Sequence, residues 1–578
     1  MKIKRFVLSS IGVFLSICSV STWADDFVSN LTIQENQPGF CSADGDIQET
    51  SNAGFSGDGY VNVVNQSHTQ VVWRVEVQSS GTYQFTFKYA NGSSNAREAN
   101  LAIDQHAQTL MQNATGGWDI WAQKTISLYL TPGTHTVRLR AVSPSGLANI
   151  DYLNIAGGGV KVANCGAIAP HPQWANSFVS GCDNGATSGL SASRIYYVTP
   201  NGSASNDGSS FNTPLDLITA INRVQAGQMV LLQSGTYTIP YQPGDKNTLN
   251  ISRSGQQGAP IYVVAANCGR AVFDFSFPED AWVQDSYGIY LTGNYWYFKG
   301  IEVTRAGYQG VYVTGEHNTF ENSAFHHNRN TGFEVNKGGA YTTVINSDAY
   351  RNYDVKKNGS MADGFGPKQT QGPGNRFIGC RAWENSDDGF DTYDSPQPVE
   401  ISDSWAFRNG INYWNDSQFS GNGNGFKLGG NHAVQNNQIT GSVAFDNVAK
   451  GFDQNNNQGG MTVINNTAYR NGINYGFGGD LQTGQQNYFR NNISLSGNVD
   501  IANANASFNS WDSGPSVSGA DFISLDTDFA TAERLPDGQL PFIPLLRLTP
   551  SAAQIDAGSS QGLNFLGNAP DLGAFERE

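Results

Sequence analysis

Four aspartates and one lysine stand in short glycine-rich phrases in the second half of the chain. The acids are Asp363, Asp387, Asp388 and Asp391, and the lysine is Lys427. Carboxylates held within a few ångströms raise one another's pKa unless a cation neutralises them, and calcium accepts the irregular oxygen shells that loops supply. An elimination requires two groups: a cation that draws electron density from a carboxylate of the ligand, and an amine that removes the proton on the carbon α to that carboxylate. The five residues predict such a calcium site with a base beside it, provided that the fold brings them together.

The same residues also have a purely structural explanation. Asp-Gly and Asp-Asp are common turn formers, and Lys427 would then be the partner of Asp391 or Asp453 in an ordinary ion pair. The two explanations differ in geometry, because only the first requires all five side chains to converge on one surface.

A repeat of about 24 residues or more predicts the elements that would position them. An asparagine follows a short apolar strand at six places, and a Gly-Phe pair also recurs six times. Periods of 20 to 50 residues indicate stacked supersecondary units, and strand-rich units without helical periodicity favour a parallel β-helix. The asparagines are Asn328, Asn352, Asn385, Asn409, Asn447 and Asn471, and the glycines of the Gly-Phe pairs are at 332, 364, 389, 425, 451 and 476.

The Gly-Phe pairs make this prediction geometric. If each phenylalanine points into the core at the same place in successive coils, the residues flanking each pair line the outside. Asp363 then stacks on Asp388, and Lys427 on Asp391, at the spacing of about 4.8 Å between neighbouring strands. At the sixth pair the same alignment places Tyr475 and Gly478 in these outward columns.

The amino terminus predicts secretion. Lys2, Lys4 and Arg5 precede an apolar stretch over residues 6–20, and small residues lead to Ala24, where we expect cleavage. Residues 1–24 are therefore predicted to be a signal peptide. We expect the mature protein outside the cell or in a periplasm.

Three further segments follow the signal peptide. Short alternating strands separated by turns predict a jelly-roll-like β-sandwich over residues 25–157. Gly157-Gly158-Gly159 opens a predicted linker over residues 158–193, and residues 194–578 form the predicted β-helix. The fold class is all-β.

Charge and cysteine content limit the partners. The formal net charge is -16, and it becomes about -19 without the signal peptide, which argues against nucleic acid as a partner. No later apolar run is long enough to span a bilayer, so no membrane partner is expected, and we expect a monomer. Five cysteines follow the signal peptide, and Cys165 with Cys182 is the candidate disulfide.

The phrases around the five residues resemble polysaccharide lyase family nine, the β-helical pectate lyases. The matching motifs are Ala-Asp-Gly-Phe at 362–365, Asn-Ser-Asp-Asp-Gly-Phe-Asp at 385–391 and Gly-Asn-Gly-Phe-Lys-Leu-Gly-Gly at 423–430, within a likeness from about Ile195 to Gly497. The resemblance implies that the four aspartates bind a catalytic calcium ion and that Lys427 is the base. It further implies cleavage of pectate, an acidic plant cell-wall polysaccharide, to 4,5-unsaturated oligogalacturonides. Lys368, on the coil of Asp363, is a candidate for binding a substrate carboxylate.

The amino-terminal sandwich is similar to the carbohydrate-binding modules that accompany polysaccharide-degrading enzymes. The likeness lies in Gly-Gly-Trp-Asp-Ile-Trp at 116–121 and Asn-Ile-Asp-Tyr at 149–152. It implies sugar contacts by Tyr60, Trp118 and Asn149, and a structural calcium ion bound by Glu35 and Asp151.

Three alternatives stay open at this point. The substrate of a lyase could be a related acidic polymer such as rhamnogalacturonan. A polygalacturonase-type hydrolase would use the aspartates as acid and base, although Lys427 would then have no role. A non-catalytic β-helix would bind calcium and sugar without turnover.

Overall fold

The computed structural model describes the chain from residue 27 to residue 577 with several gaps. The described residues are 27–35, 37–65, 69–103, 106–130, 132–142, 145–163, 187, 189–241, 246–266, 270–532, 534, 538–541 and 543–577. The predicted signal peptide, Cys165 and Cys182 lie outside these ranges, as does most of the predicted linker. Among the described residues, no helix has the length and apolar character needed to cross a bilayer.

The chain divides into two compact units, Met1–Ser177 and Phe178–Glu578. The first unit is built from antiparallel strands around one apolar core that includes Trp73, Phe85 and Leu139. Its last strand runs through Gly157-Gly158-Gly159 to Val162, so the first residues of the predicted linker belong to the sheet. The strands are Val28–Gln34, Phe40–Ala43, Gly45–Glu49, Tyr60–Val63, Gln70–Val77, Gly81–Ala90, Arg97–Ile103, His106–Gln112, Ala122–Leu130, Gly133–Ala141 and Asn149–Val162.

The second unit is a parallel β-helix of three sheets, in which each coil contributes one short strand to each sheet. Sheet 1 contains Ile195–Val198, Met229–Leu232, Ile261–Ala265, Trp296–Lys299, Thr319–Glu321, Thr343–Ile345, Asn375–Ile378, Val399–Ser402, Gln438–Thr440, Thr462–Ile464, Asn487–Arg490 and Ala504–Ser507. Sheet 2 contains Gly235–Thr238, Ala271–Asp274, Ile301–Thr304, Ala324–His326, Asp348–Tyr350, Arg381–Trp383, Trp405–Phe407, Val443–Phe445, Thr467–Tyr469 and Ile493–Leu495. Sheet 3 contains Leu249–Ile251, Ile289–Leu291, Val311–Val313, Phe333–Val335, Phe365–Pro367, Phe390–Asp391, Phe426–Lys427, Lys450–Asp453, Ile473–Phe477 and Val499–Ile501. The all-β fold class is thereby confirmed.

Helices are few and short among the described residues. The α-helix Leu217–Arg223 begins at Asp216, whose side chain accepts a hydrogen bond from the backbone of Thr219. Three 3-10 helices, at Val355–Lys357, Gly519–Asp521 and Thr527–Thr531, lie in connecting segments.

The predicted asparagine repeat is a ladder of buried side chains. Between sheets 2 and 3, the Nδ2 atom of Asn385 donates to Oδ1 of Asn409 at 3.1 Å, while Oδ1 of Asn385 accepts from Nδ2 of Asn352 at 2.8 Å. The same bond joins every successive pair from Asn328 to Asn471. Because each amide also bonds to backbone, the turn keeps its polar groups satisfied inside the solenoid.

Five of the six Gly-Phe pairs align as the sequence predicts. Phe333, Phe365, Phe390, Phe426 and Phe452 are register partners in sheet 3, and all are fully buried.

The sixth pair is an exception, and the prediction for it is wrong. Phe452 pairs with Tyr475, which takes the inward position, and Gly476 rather than Gly478 is the register partner of Asp453. The Tyr475 hydroxyl lies within hydrogen-bonding distance of the backbone carbonyl groups of Asn466, on its own coil, and Ile493, on the next coil, which lets a polar aromatic ring replace phenylalanine in the core.

The β-helix ends earlier than predicted. The last strand is Ala504–Ser507, and the described residues beyond it form short helices and irregular segments. Apolar side chains of this segment, including Phe522, Ile543 and Leu548, pack on Trp405 and Phe445 of sheet 2. The carboxyl-terminal residues therefore cover one face of the solenoid instead of adding coils to it.

Candidate active site

Sheet 3 brings three of the predicted acids together. Asp363 precedes the inward Phe365, and Asp388 and Asp391 flank Phe390 on the next coil. One carboxylate oxygen from each lies within 4.8 Å of the others, and all three side chains are buried. The donor set consists only of carboxylates, as calcium prefers. Oδ2 of Asp388 is buried, and the cation beside it in this structure is the amine of Lys427, with Nζ at 3.0 Å.

Hydrogen bonds orient these carboxylates. Oδ1 of Asp388 accepts from both the backbone and the side-chain nitrogen of Asn424 at 2.8 Å. Thr331 donates to Oδ2 of Asp363 at 3.0 Å, and the backbone of Tyr393 donates to Oδ1 of Asp391 at 3.0 Å. Because Thr331 and Asn424 come from neighbouring coils, the stacking of coils helps to hold Asp363 and Asp388 in place.

Asp387 stands apart from this trio. Its carboxylate is buried and accepts a hydrogen bond from the backbone of Asn422 at 2.7 Å. It is not among the acids whose oxygens lie within 4.8 Å of one another. Burial and the charges of Asp388 and Asp363 raise its pKa well above the ordinary value. Its role as a metal ligand stays a prediction.

Lys427 lies where the repeat predicts. It is the register partner of Asp391, and its Nζ atom is 3.0 Å from Oδ2 of Asp388 and 3.6 Å from Oδ1 of Asp391. Nζ also lies 5.3 Å from the centre of the Tyr393 ring. Burial by itself would lower the pKa of Lys427, but the charges of Asp391 and Asp388 outweigh burial and hold it above the ordinary value.

Lys368 is part of the same cluster. Its Nζ atom lies 2.6 Å from Asp363 and 3.2 Å from Asp391, and its side chain is 8% exposed. Gly366 makes room for it, because a Cβ atom there would lie 3.2 Å from Cε of Lys368. In this structure Lys368 is engaged by two predicted metal ligands, so its predicted contact with a substrate carboxylate stays a prediction.

Protonation of the acids follows their contacts. Burial, opposed by Lys368, raises the pKa of Asp363 to about 6. Burial, opposed by Lys427, also raises the pKa of Asp388. Burial acts on Asp391 in the same direction, but the two lysines outweigh it and lower the pKa of this residue. Asp391 is thus the acid that the lysines hold most firmly in its charged form.

Charges alternate along the outward face of sheet 3. Two glycines in this column, Gly366 and Gly476, are covered by the side chains of Lys368 and Lys450. With these lysines in their places, the column reads Glu334, Lys368, Asp391, Lys427, Asp453, Lys450 and Asp500. Nζ of Lys450 is 2.7 Å from Oδ1 of Asp453. Positive and negative side chains therefore alternate along this face, and each of the three lysines is paired with an aspartate of the same face.

Tyr393 was not identified from the sequence. It follows Asp391 by two residues, and strand alternation puts both on the same face, which is the signal that could have found it. Its ring packs beside the Lys427 amine and against Gly430, where a Cβ atom would lie 2.4 Å from the ring.

The three predicted sugar-contacting residues of the amino-terminal unit differ in how far they are exposed. Trp118 is half-buried and lies beneath the Arg97 guanidinium at 5.0 Å. Asn149 is nearly buried, at 5% exposed. Tyr60 is fully buried against Phe55 and Trp121, with its hydroxyl bonded to Asn52. The Tyr60 ring presents no exposed face in this structure, and its contact with a sugar stays a prediction.

The predicted module acids are neighbours. Burial and the charge of Asp151 raise the pKa of Glu35 to about 7. Asp151 already has a cation, since Nζ of Lys88 lies 2.6 Å from its Oδ2, and Ser56 donates to it from backbone and hydroxyl. Binding of calcium by Glu35 and Asp151 stays a prediction.

Comparison with known proteins supports both units. Residues 196–492 match the family described as Pel9A-like, right handed beta helix region, and residues 41–157 match carbohydrate binding module family 6. The chain is 68% identical to pectate lyase L of Dickeya dadantii (strain 3937) over 397 residues, which cover 68% of this chain and 93% of that protein.

Two solved structures are also similar. A crystal structure of pectate lyase Pel9A has a TM-score of 0.68 at 68% identity, covering 69% of this chain and 100% of that one. A rhamnogalacturonan lyase has a TM-score of 0.53 at 29% identity, covering 62% and 97%.

Proposed function

Because the chain belongs to the Pel9A-like family of right-handed β-helices and is a pectate lyase, we propose that it cleaves polygalacturonate by calcium-assisted β-elimination with Lys427 as the base. The observation that carries the proposal is the position of the Lys427 amine, 3.0 Å from Asp388 within a cluster of three buried carboxylates. The hydrolase and the non-catalytic alternatives are set aside, since the similar proteins are lyases over the whole β-helix.

The donor set fits calcium. Asp363, Asp388 and Asp391 supply three carboxylates within reach of one ion, and we propose Asp387, whose pKa responds to the charges of Asp388 and Asp363, as a further ligand. When bound, calcium supplies positive charge that withdraws electron density from the substrate carboxylate and makes the neighbouring C5 proton more acidic.

Lys427 removes the proton in this proposal. Calcium bound by Asp388 and Asp391 would cancel the charges that raise the pKa of Lys427 and so favour its neutral amine. The neutral amine accepts the C5 proton, the electron pair left on C5 forms the C4–C5 double bond, and the bond from C4 to the glycosidic oxygen breaks. Solvent protonates the leaving oxygen, so the products are a new chain end and a 4,5-unsaturated oligogalacturonide. Asp388, Asp391 and the Tyr393 ring hold the amine on the outward face, where a chain lying in the groove would pass.

The test follows the unsaturated product by its ultraviolet absorbance. The wild type is incubated with polygalacturonate at alkaline pH with calcium and then with chelator, and we expect a rise only with calcium. Lys427→Ala should lower kcat by at least about a hundredfold, as expected for loss of a general base. Lys299→Ala, which removes an ion-paired lysine from sheet 1, is the matched control and should keep full activity.

The outcomes separate the parts of the proposal. An unchanged rate in folded Lys427→Ala would remove the base assignment, whereas full activity in chelator would remove calcium. Reducing ends without absorbance would contradict elimination.

Rhamnogalacturonan is the second candidate substrate, favoured by the 29% identity to a rhamnogalacturonan lyase. The same assay with that polymer compares kcat/KM between the two substrates. A higher value on rhamnogalacturonan would replace polygalacturonate as the substrate while keeping the chemistry.

We also propose that the protein is secreted and acts as a monomer. The amino-terminal sequence pattern supports secretion. Amino-terminal sequencing of protein from culture medium should begin after Ala24, and light scattering should give one chain per particle. Retention of protein in the cytoplasm, or a dimer mass, would contradict these two points separately.

A further inference from the structure

The outward column of sheet 3 begins far from the acid cluster. Strand register aligns Asn250, Tyr290, Tyr312, Glu334 and Gly366, one residue per coil, on the way to Asp391. Since neighbouring coils are about 4.8 Å apart, Tyr312 lies about 14 Å and Tyr290 about 19 Å from Asp391 along the axis. A polymer bound along this face would therefore cross the two tyrosines before it reaches the site.

These two tyrosines belong to a group of five aromatic residues, Trp282, Tyr287, Tyr290, Tyr308 and Tyr312, which we name the tyrosine cluster. Ring centres are 4.6 Å apart for Tyr287 and Tyr312, 5.9 Å for Tyr290 and Tyr312, and 5.4 Å for Trp282 and Tyr308. Tyr287 and Tyr312 are buried beneath the others, while Trp282, Tyr290 and Tyr308 are half-buried and face outward. The cluster is thus a supported aromatic surface on the face of the active site.

The tyrosine cluster differs from the stacked ladders elsewhere in the solenoid. Tyr295, His317 and Tyr341 stack face to face at 4.8 and 4.7 Å with planes within 6°, so their ring faces cover one another. In the cluster, Tyr287 and Tyr312 are stacked at 19°, but the half-buried Tyr290 is tilted by 51° against Tyr312. Tilted rings cover less of one another, which leaves ring surface for a ligand.

Cations and hydroxyl groups surround the tyrosine cluster. The exposed Lys337 holds its Nζ atom 5.6 Å from the Tyr312 ring centre. Lys246 pairs with Asp285 at 3.2 Å, and Asp285 accepts a hydrogen bond from the Tyr287 hydroxyl at 3.1 Å. Aromatic faces with a few polar groups and cations are what an acidic sugar chain requires, because its rings stack while its carboxylates meet lysine.

A cavity of about 570 Å³ continues the same face beyond the tyrosine cluster. It is lined by Asn250, the first member of the column, together with Asn222, Lys246, Asn247 and Ile218. Side-chain amides and one lysine again suit a polar, acidic ligand. On the opposite side of the acid cluster the column continues with charged residues instead of aromatic ones, namely Asp453, Lys450 and Asp500.

We propose that the tyrosine cluster is a distal subsite, in which the sugar rings of an acidic polysaccharide stack on Tyr290 and Tyr308 several units away from the bond that is cleaved. This proposal rests on the proposed function, which has the polysaccharide lie along sheet 3. It deepens the proposed function by predicting that the enzyme prefers long substrates. A short oligosaccharide that binds only at the acid cluster would not reach the tyrosine cluster and would gain no affinity from it.

The test compares Tyr290→Ala and Tyr308→Ala with wild type on a galacturonate trimer and on chains of ten or more units, the latter roughly the length needed to span the column at one sugar per coil. Each variant should lower kcat/KM on the long chains by about fivefold, within the range of an aromatic contact, and leave the trimer value unchanged. Tyr262→Ala is the matched control, since it removes a half-buried tyrosine that packs on Tyr297 at 5.8 Å on sheet 1. Thermal unfolding confirms that each variant is folded.

Binding separates this inference from the proposed function. The affinity of Lys427→Ala for the long chain is measured by calorimetry and compared with that of the double variant carrying Tyr290→Ala as well. Weaker binding in the double variant supports the subsite even if no substrate is turned over. Equal loss on trimer and long chain, or no loss on either, would overturn the proposal, as would an equal effect of Tyr262→Ala.

Discussion

At the residue scale, the candidate site places two lysines among three buried aspartates. Lys368 and Lys427 are each within 4 Å of two acids, and Asp391 contacts both of them. Gly366 favours this arrangement, because a Cβ atom there would lie 3.2 Å from Cε of Lys368 and would crowd its side chain. The glycine at position 366 is therefore part of the site's geometry, together with the charged residues of sheet 3.

Lys368→Ala tests the balance of charge in the cluster. The change leaves Asp363 buried without its nearest cation, so we expect the free energy of unfolding in chelator to fall by about 3 kcal/mol, as for a broken buried ion pair. Calcium should restore part of the loss because it neutralises the same carboxylates. Denaturant unfolding of the variant and of Lys299→Ala, with and without calcium, measures the effect. Equal loss in both media would show that the acids do not share a cation.

At the element scale, the turns between sheets 2 and 3 depend on the asparagine ladder. Asn385 is fully buried and bonds to Asn352, to Asn409 and to the backbone of Ala349. Each asparagine of the ladder bonds to the asparagines of the coils before and after it, so one side chain stabilises two neighbouring turns. The ladder fixes the same turn after the sheet 2 strand of each of these coils. We infer that this common turn keeps Asp363 and Asp388 aligned at the start of sheet 3.

Asn385→Leu should be costly although the two side chains are similar in size. The substitution leaves buried groups of Asn352, Asn409 and Ala349 without partners, and we expect a loss of about 3 kcal/mol in the free energy of unfolding. Urea unfolding followed by circular dichroism measures it. Asn201→Leu, at an exposed turn, is the control and should change stability by less than about 0.5 kcal/mol. Similar losses in both variants would contradict the role of the ladder.

A buried ion cluster joins the carboxyl-terminal segment to the coils. Asp348 on sheet 2 accepts hydrogen bonds from Arg381 and from Arg534, and Arg381 also donates to the backbone of Ala530 and Ala532. Burial would raise the pKa of Asp348, but the two arginines outweigh it and hold the pKa well below the ordinary value. The charged carboxylate is thus the form that keeps the segment attached.

Stability should depend on pH through Asp348. Because its folded pKa is lowered, its contribution is complete above the unfolded pKa of about 3.9 and is lost as pH falls below that toward the folded pKa. Asp348→Asn should be less stable than wild type at pH 7, and the difference should shrink as the pH falls below about 4. Thermal unfolding from pH 7 to pH 3 measures this difference. A difference independent of pH would show that shape, not charge, holds the segment.

At the scale of the whole molecule, the chain combines a lyase unit with a unit that matches carbohydrate-binding modules. The β-helix carries the lyase chemistry, and the amino-terminal unit belongs to a family of carbohydrate-binding modules. A module of this kind raises the local concentration of enzyme at an insoluble polymer without taking part in the reaction. Turnover of soluble substrate should then be independent of it.

Trp118→Ala tests this division of labour. Trp118 is half-buried at the surface of the module, and its loss should reduce adsorption of the full-length protein to insoluble polysaccharide severalfold. The rate on soluble polygalacturonate should stay at the wild-type value. Tyr129→Ala removes a module aromatic that is 62% exposed and should change neither measurement. A slower rate on soluble substrate in Trp118→Ala would contradict the separation of tasks.

The repeat in the sequence was sufficient for the solenoid and for most of the site. Short-range spacing sets the coil, and stacking of equal coils converts sequence distance into alignment, so the repeat alone places Asp363, Asp388, Asp391 and Lys427 on one face. Alignment by the Gly-Phe pairs fails where the coil is shorter than the interval between two pairs, because Tyr475 rather than Phe477 then pairs with Phe452.

Tertiary structure alone decided the features that depend on loops and on irregular chain. Lys368 reaches Asp363 because Gly366 leaves space, and Tyr60 is buried by contacts with Phe55 and Trp121. The tyrosine cluster adds Trp282, Tyr287 and Tyr308, from the connecting segments of two neighbouring coils, to the register partners Tyr290 and Tyr312. The carboxyl-terminal segment covers sheet 2 instead of extending it. Periodic contacts are encoded locally and repeat in the sequence, whereas these contacts arise between segments that share no period, so only the folded chain determines them.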